Sequence, residues 1–353
     1  MKENPNRILV APLNWGLGHV TRCIPIIKAL ENEGFLPILA SDGMALSLLQ
    51  KEFPHLQTLQ LPSYGIVYPE NGAYFKWKLL QSSFRILKSI LKERRTIKAW
   101  IQEYQLKGII SDNRFGVYSS EIPSIYITHQ LNVLSGNTTW ISSKMHQFFI
   151  KKHTECWVPD IEKGMTLSGK LGHPKKPIQN TKYIGPISRL QKEVVATKYD
   201  LLILLSGPEP QREQLENQLR SEIENFDGKI VFVRGVVESV QKTETIHNTT
   251  FYNYMNSLEI EKAVNESDLI VCRSGYTTIM DLAHLEKRAY FIPTPGQYEQ
   301  EYLAKKFKKE NTAPYSKQHK FKIEKLAKAN LYRGFYNYKS EIDWVSLFSV
   351  FNK

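Results

Sequence analysis

Short apolar runs alternate with stretches of helical spacing along most of the chain, and that alternation predicts a parallel α/β architecture. Arg7 to Ala11 reads as a first strand. A helix from about Thr21 to Leu30 turns Ile24, Ile27 and Leu30 toward the sheet, Gly34 ends it, and Leu36 to Ser41 returns as a second strand. Strand-like runs recur at Gln57 to Leu61, Gly108 to Ser111, Ser124 to Thr128 and Cys156 to Val158. Gly185-Pro186-Ile187-Ser188-Arg189, with the polar Gln191 to Lys198, reads as a linker, after which the alternation restarts. Strands are expected at Asp200 to Leu205, Lys229 to Val233, Thr250 to Tyr252, Leu269 to Val271 and Arg288 to Ile292. The expected division is a first domain over 1–186 and a second over 187–334. The aromatic tail 335–353 is read as a helix packing back on the first domain.

Three corners of this pattern carry chemistry. At the first, Gly16-Leu17-Gly18-His19 joins a strand to a helix, where two glycines let a substrate approach the backbone. His19 titrates near neutrality and can take a proton from an attacking hydroxyl. The full Gly-x-Gly-x-x-Gly dinucleotide pattern is absent, because Thr stands at position 21. At the second, Ser206-Gly207-Pro208 precedes a helix from about Gln211, with Arg212 near its start. At the third, Leu269 to Val271 breaks at Arg273-Ser274-Gly275, and helical spacing resumes from Thr277. Free N–H groups and a helix dipole there favour a phosphate, and Asp281, about one turn on, can accept hydrogen bonds from a sugar diol. Gln297, Gln300 and Glu301 offer amides and a carboxylate suited to sugar hydroxyls. Each corner also has a plainer reading as an ordinary strand-to-helix turn, with Arg212 a surface arginine and the glutamines a polar helix face.

Composition narrows the class. The chain has 353 residues, 42% hydrophobic and 23% charged, which excludes wholesale disorder. Cys23, Cys156 and Cys272 are scattered and suit a reducing compartment rather than a disulfide framework. The beginning of the chain is too polar for a signal peptide and no apolar run approaches a membrane span, so a cytoplasmic protein is expected. A net charge of +12 implies an anionic partner. It gathers between residues 72 and 107, where nine Lys or Arg stand against only Glu93 and Glu103. That stretch is interleaved with Phe, Trp, Leu and Ile, so it reads either as a helix packed on the sheet with a solvated basic face or as a membrane-surface helix. The second use would make the protein peripheral on the cytoplasmic face of the membrane. Nucleic acid is not expected, since no zinc-finger spacing, basic zipper or RRM-like aromatic pattern is present.

Taken together, Gly-Leu-Gly-His19, Cys-Arg-Ser-Gly-Tyr-Thr-Thr-Ile-Met-Asp281 and Pro293…Gln300-Glu301-Tyr302 resemble the GT-B glycosyltransferases. Within them the likeness is to the family 28 type that adds N-acetylglucosamine to lipid I. The resemblance implies an α/β GT-B fold, two Rossmann-like parallel-sheet domains facing across a cleft. It implies an inverting, metal-independent transfer from a nucleoside-diphosphate sugar, UDP-linked by preference, to a hydroxyl of a glycan or a lipid-linked acceptor. No cofactor is expected beyond that substrate, and no Asp-x-Asp metal motif occurs. By the same resemblance His19 is the base. Arg212, Arg273, Ser274 and Gly275 surround the phosphates, Gly18, Gly207 and Thr277 are further donor-binding residues, and Asp281 holds the ribose. Met255 and Asn256 meet the base, while Gln297, Gln300 and Glu301 meet the sugar. Gly16 and the Thr128-His129-Gln130-Leu131-Asn132 loop, through His129 and Asn132, lie on the acceptor side. Gly-x-Gly-His-x-x-Arg-Cys also resembles a nucleotide-sugar hydrolase, which leaves water as an alternative acceptor. A non-catalytic membrane-surface or nucleic-acid-binding protein is the third reading.

Overall fold

The computed structural model describes residues 6–65, 75–236, 238–338 and 341–352, with side chains from residue 85 onward in the helix that opens the second of these stretches. The chain divides into two compact units. The first comprises Met1–Gly164, Lys170–Gly185 and Ser340–Lys353, the second Met165–Gly169 and Pro186–Lys339.

The first unit is built on seven strands: β1 (Arg7–Pro12), β2 (Leu36–Ser41), β3 (Thr58–Gln60), β4 (Leu106–Asp112), β5 (Ser124–Ile127), β6 (Glu155–Val158) and β7 (Thr181–Tyr183). They pair in parallel in the order β3-β2-β1-β4-β5-β6-β7. Parallel strands are covered on both faces, which is why Ile8, Leu9 and Val10 form an uninterrupted, fully buried apolar run. Helices α1 (Leu17–Asn32), α2 (Gly43–Glu52), α3 (Phe75–Glu103) and α4 (Thr139–Ile150) cross over between strands. Strand order reverses at β1/β4, and at such a switch point the loops after the two strands diverge and leave a crevice.

The second unit repeats the plan with β8 (Tyr199–Leu204), β9 (Ile230–Val233), β10 (Thr243–Ile246), β11 (Thr249–Tyr252), β12 (Ser267–Cys272) and β13 (Arg288–Phe291). Their order is β10-β11-β9-β8-β12-β13, parallel except for the edge strand β10. The exposed polar β10 carries no burial pattern and was not anticipated. Helices α5 (Gln211–Ile223), α6 (Ser257–Asn265), α7 (Tyr276–His284) and α8 (Tyr298–Lys309) complete this unit. Its switch point lies at β8/β12.

Two sequence expectations are corrected. The first helix starts at Leu17 rather than near Thr21, because Gly16, at φ +78°, turns the chain directly into the helix. His19 therefore sits in the first helical turn and not in a loop. The tail is helical only over α9 (Trp344–Phe348) and a following short turn of 3₁₀ helix. Phe348 packs there against Phe35 and Trp157 of the first unit, whereas Phe335 packs against Phe291 and Phe307 of the second.

The basic segment is a single long helix, α3, whose described part is amphipathic. Ile90, Ile97 and Ile101 are buried at helical spacing, while Leu87, Leu91, Lys88, Lys92, Arg95 and Lys98 face outward. Residues 66–74, at the start of that segment, lie outside the described residues. No described helix is long and apolar enough to cross a membrane.

Candidate active site

In the first unit the chemistry gathers at the β1/β4 switch point. Pro12 of β1 and Asp112 of β4 are register partners, so the turn leading into α1, whose first turn carries His19, starts beside Asp112. His19 Nδ1 lies 2.7 Å from Asp112 Oδ1. Asp112 is fully buried and is gripped by Arg22, one turn along α1, through Nε on one oxygen and Nη2 on the other. Asn113, in the left-handed region at φ 58°, adds a third donor to Oδ1 at 3.2 Å.

Burial alone would raise the Asp112 pKa, but Arg22 and His19 overturn this and hold its carboxyl well below the usual range. The Asp112 carboxylate can only accept and Arg22 Nη2, also 2.7 Å from Nδ1, can only donate. When the Asp112 bond is made, His19 carries its hydrogen on Nδ1 and keeps Nε2 as a lone pair. Burial lowers the His19 pKa, with Asp112 opposing, so the ring is neutral near pH 7. The side chain remains 16% exposed. A neutral, oriented imidazole with one accessible nitrogen is the form a general base requires.

Asp112 was missed in the sequence, and Arg22 was noted there only as part of the Gly-x-Gly-His-x-x-Arg-Cys motif. The available signal was Ser111-Asp112-Asn113 at the carboxyl end of an apolar strand, the end where parallel sheets place their functional groups. His129 is nearly buried, with Arg22 Nη1 3.3 Å from its Nδ1, so this residue of the acceptor-side loop does join the cluster. Asn132 instead donates to the Lys170 carbonyl at 2.7 Å and ties its loop to the Gly169–Leu171 turn.

In the second unit, Gly207 follows β8 at φ +114°, and Arg273-Ser274-Gly275 follows β12. Gly275 is the N-cap of α7 with φ −73°, a conformation open to any residue. A Cβ built on it would meet no heavy atom within 4 Å. Neither strain nor crowding demands a glycine there, and its lack of a side chain leaves the space over the first N–H groups of α7 open. Thr277 lies in that first turn, and the Ser274 hydroxyl donates to the Gln300 carbonyl at 2.8 Å.

Arg273 is 1% exposed. Its guanidinium donates to the carbonyls of Ile292 (3.0 Å) and Gln211 (2.9 Å), Nε has no partner, and no carboxylate among the described residues pairs with it. Burial pulls its pKa down to about 10. A buried cation without a counter-ion is costly, and an anionic ligand would supply one.

Arg212 behaves differently from the sequence expectation. It is nearly buried, bridged to Glu209 and to Glu216 Oε2 (2.5 Å), and donates to the Arg234 carbonyl. Its charge is already neutralised within the protein, because Glu209 and Glu216 lie one turn to either side of it. Gln300 is likewise occupied: Oε1 accepts from the Thr294 N–H at 2.8 Å and Nε2 donates to Gln297 Oε1 at 2.6 Å. It clamps the loop after β13 rather than offering a free amide. Glu301 accepts weakly from Gly296 N–H at 3.3 Å, and Gln297 caps α8.

Asp281 accepts from Ser188 Oγ at 2.7 Å. Burial raises its pKa to about 6 against the pull of Arg189 and Ser188. Ser188 and Arg189 belong to the stretch read as a linker, and Arg189 also reaches Ser257 at the start of α6 (2.8 Å). Asn256 caps α6 in a reciprocal box with Glu259, leaving the Met255–Asn256 backbone just ahead of a helix start. In the first unit, Gly16 caps α1 and Gly18 lies in its first turn. A Cβ on Gly16 would also meet open space.

Two α/β units, each with its polar residues at a switch point, define a glycosyltransferase of the GT-B fold. A glycosyltransferase from kitacinnamycin biosynthesis superposes with TM-score 0.62 at 13% identity, covering 92% of this chain and 89% of that one. MurG of Acinetobacter baumannii gives 0.55 at 15%, covering 93% and 91%. Residues 194–334, which lie in the second unit, match the glycosyltransferase family 28 C-terminal domain. Over 327 residues the chain is 24% identical to an enzyme of Pasteurella multocida, covering 87% of this chain and 82% of that protein. That enzyme is UDP-N-acetylglucosamine--N-acetylmuramyl-(pentapeptide) pyrophosphoryl-undecaprenol N-acetylglucosamine transferase.

Proposed function

We propose that this glycosyltransferase moves a sugar from a UDP-sugar to a hydroxyl of a lipid-linked or glycan acceptor, with inversion and without a metal ion. The observation that carries the reading is Arg273, a buried cation without an acidic partner beneath the glycine-opened start of α7. A diphosphate is the anion that fits, and during transfer it becomes the leaving group. Negative charge then grows where Arg273 and the α7 dipole already stand, which favours the transition state over the bound donor.

On the acceptor side, His19 Nε2 takes the hydroxyl proton as the oxygen attacks the anomeric carbon. Asp112 stabilises the resulting imidazolium through Nδ1–H. One displacement at one carbon inverts it. Asp281 and Ser188 are the groups for the ribose diol, and the backbone of Met255 and Asn256 for the base. Glu301 and Gln297, rather than the occupied Gln300, are the groups for the donor sugar.

The acceptor reading draws on an outward surface of the first unit. On α4, Trp140, Ile141, Met145 and Phe148 are between 56% and 71% exposed, bordered by exposed Lys144, Lys151 and Lys152. Ile86 and Ile90 of α3 and Phe149 of α4 pack in one cluster. Apolar side chains among lysines suit a membrane surface, where each basic group adds about 1 kcal/mol toward anionic lipid.

The test is a donor panel with purified protein, isoprenoid-linked and free-glycan acceptors, and a His19→Ala control. Transfer from a UDP-sugar that disappears in the variant is the expected result. Full transfer by the variant removes the proposed base, and sugar release at equal rates without any acceptor removes the transferase chemistry in favour of hydrolysis.

A further inference from the structure

Three buried polar atoms without partners lie on neighbouring elements at the β8/β12 switch point and beside it: Arg273 Nε, Thr294 Oγ1 and Gln211 Oε1. Such atoms are rare in folded proteins, and each calls for a water or a ligand. Their surroundings favour a ligand. A Cβ built on Gly207 would have Thr294 Oγ1, 3.9 Å away, as its only neighbour within 4 Å. The Thr294 hydroxyl therefore lies on the side of Gly207, itself held at φ +114°, from which a side chain is missing. Thr294 is 3% exposed, and its N–H is fixed by Gln300 Oε1, so the hydroxyl has little freedom to find another partner. Arg273 joins the same wall from the next strand, donating to the Ile292 carbonyl two residues before Thr294.

We propose that Thr294 is a donor-contacting residue whose hydroxyl, with Arg273 Nε–H, binds the sugar-side phosphate of a nucleoside diphosphate lying over Gly207. The assignment rests on the UDP-sugar reading above and adds to it a residue and a subsite. An oxygen about 1 Å nearer to Thr294 than the missing Cβ would be within hydrogen-bond range of its hydroxyl. The nucleoside-side phosphate is left to the open start of α7 at Gly275. Thr294 thus distinguishes a diphosphate from a monophosphate.

The experiment measures binding of uridine diphosphate and uridine monophosphate to the full chain by calorimetry, for wild type, Thr294→Val and Thr294→Ser. Valine keeps the shape and removes the hydroxyl, and serine restores the hydroxyl. The expected result is a loss of about tenfold in diphosphate affinity for Thr294→Val, the size of one hydrogen bond to a charged group. Monophosphate affinity should stay within about twofold, and Thr294→Ser should recover most of the loss. Equal diphosphate binding by wild type and Thr294→Val overturns the assignment and leaves the hydroxyl to a buried water; so does an equal loss for both nucleotides. Wild type that binds neither nucleotide refutes the donor reading itself, a separate outcome. If Thr294→Val fails to fold, Thr294→Ala replaces it: it also removes the hydroxyl, and an unchanged ratio of the two affinities overturns the assignment.

Discussion

Replacing Asp112 with Asn tests the whole arrangement around His19, because one oxygen of that carboxylate receives His19, Arg22 and Asn113. The amide is the same size, so packing is kept while two electrostatic functions are lost. The first is tautomer control: an amide can present its N–H to Nδ1, which moves the ring hydrogen to Nε2 and blocks the base. The second is stabilisation of the imidazolium formed as the acceptor proton arrives. Together they are worth roughly 10²–10⁴ in kcat.

The pH profile then separates this account from simple damage. Burial lowers the His19 pKa, Asp112 opposes that and Arg22 reinforces it. Without the carboxylate the opposing influence is gone and Arg22 is unpaired, so the acid limb of kcat/KM shifts to lower pH while the plateau falls. Stability changes as well, since removing one member of a buried ion pair costs about 3–5 kcal/mol. The assay is therefore a rate profile between pH 5 and 9, at a temperature where melting shows the variant folded. A folded Asp112→Asn protein within twofold of the wild-type plateau would refute the role assigned to this carboxylate.

Three further outcomes are expected. Gly275→Val fills the space over α7 and should weaken uridine diphosphate binding more than tenfold with the melting temperature changed by only a few degrees, because its Cβ meets nothing and its φ of −73° is ordinary; calorimetry and a melt check both halves. Asp281→Asn should stabilise the free protein at pH 7.5 by roughly 1–3 kcal/mol and by about half as much at pH 5. The sign follows from a folded pKa of about 6, raised by burial, so the wild-type protein loses stability as pH climbs from the ordinary carboxyl range through that value, and melts at the two pH values measure it. Ile141→Asp with Phe148→Asp should abolish flotation on vesicles containing anionic lipid, while transfer to a short water-soluble acceptor stays within about twofold; retained flotation would count against α4 as the docking surface.

Much of the layout was legible in the sequence, for a reason of scale. Parallel strands are buried on both faces and read as apolar runs, and the turns after them must be small or left-handed. Leu269 to Val271 followed by Ser274-Gly275 therefore announced a strand, a corner and a helix start without any tertiary information. Gly16 and Gly207 were visible on the same grounds. Charge state and availability were not legible, because they depend on burial and on which charges the fold brings close. Arg212 and Arg273 look alike in sequence. Folding sets Arg212 between Glu209, just ahead of its helix, and Glu216, one turn along it, and leaves Arg273 buried against carbonyls with no carboxylate among the described residues paired to it. His19 could be singled out locally, but its carboxylate stands 93 residues away and meets it only because β1 and β4 are neighbours in register. Local pattern decides which element forms, since it is a matter of spacing and backbone geometry. The protonation state of an imidazole or the availability of a cation depends on burial and on the nearest opposite charge, and only the tertiary structure decides those.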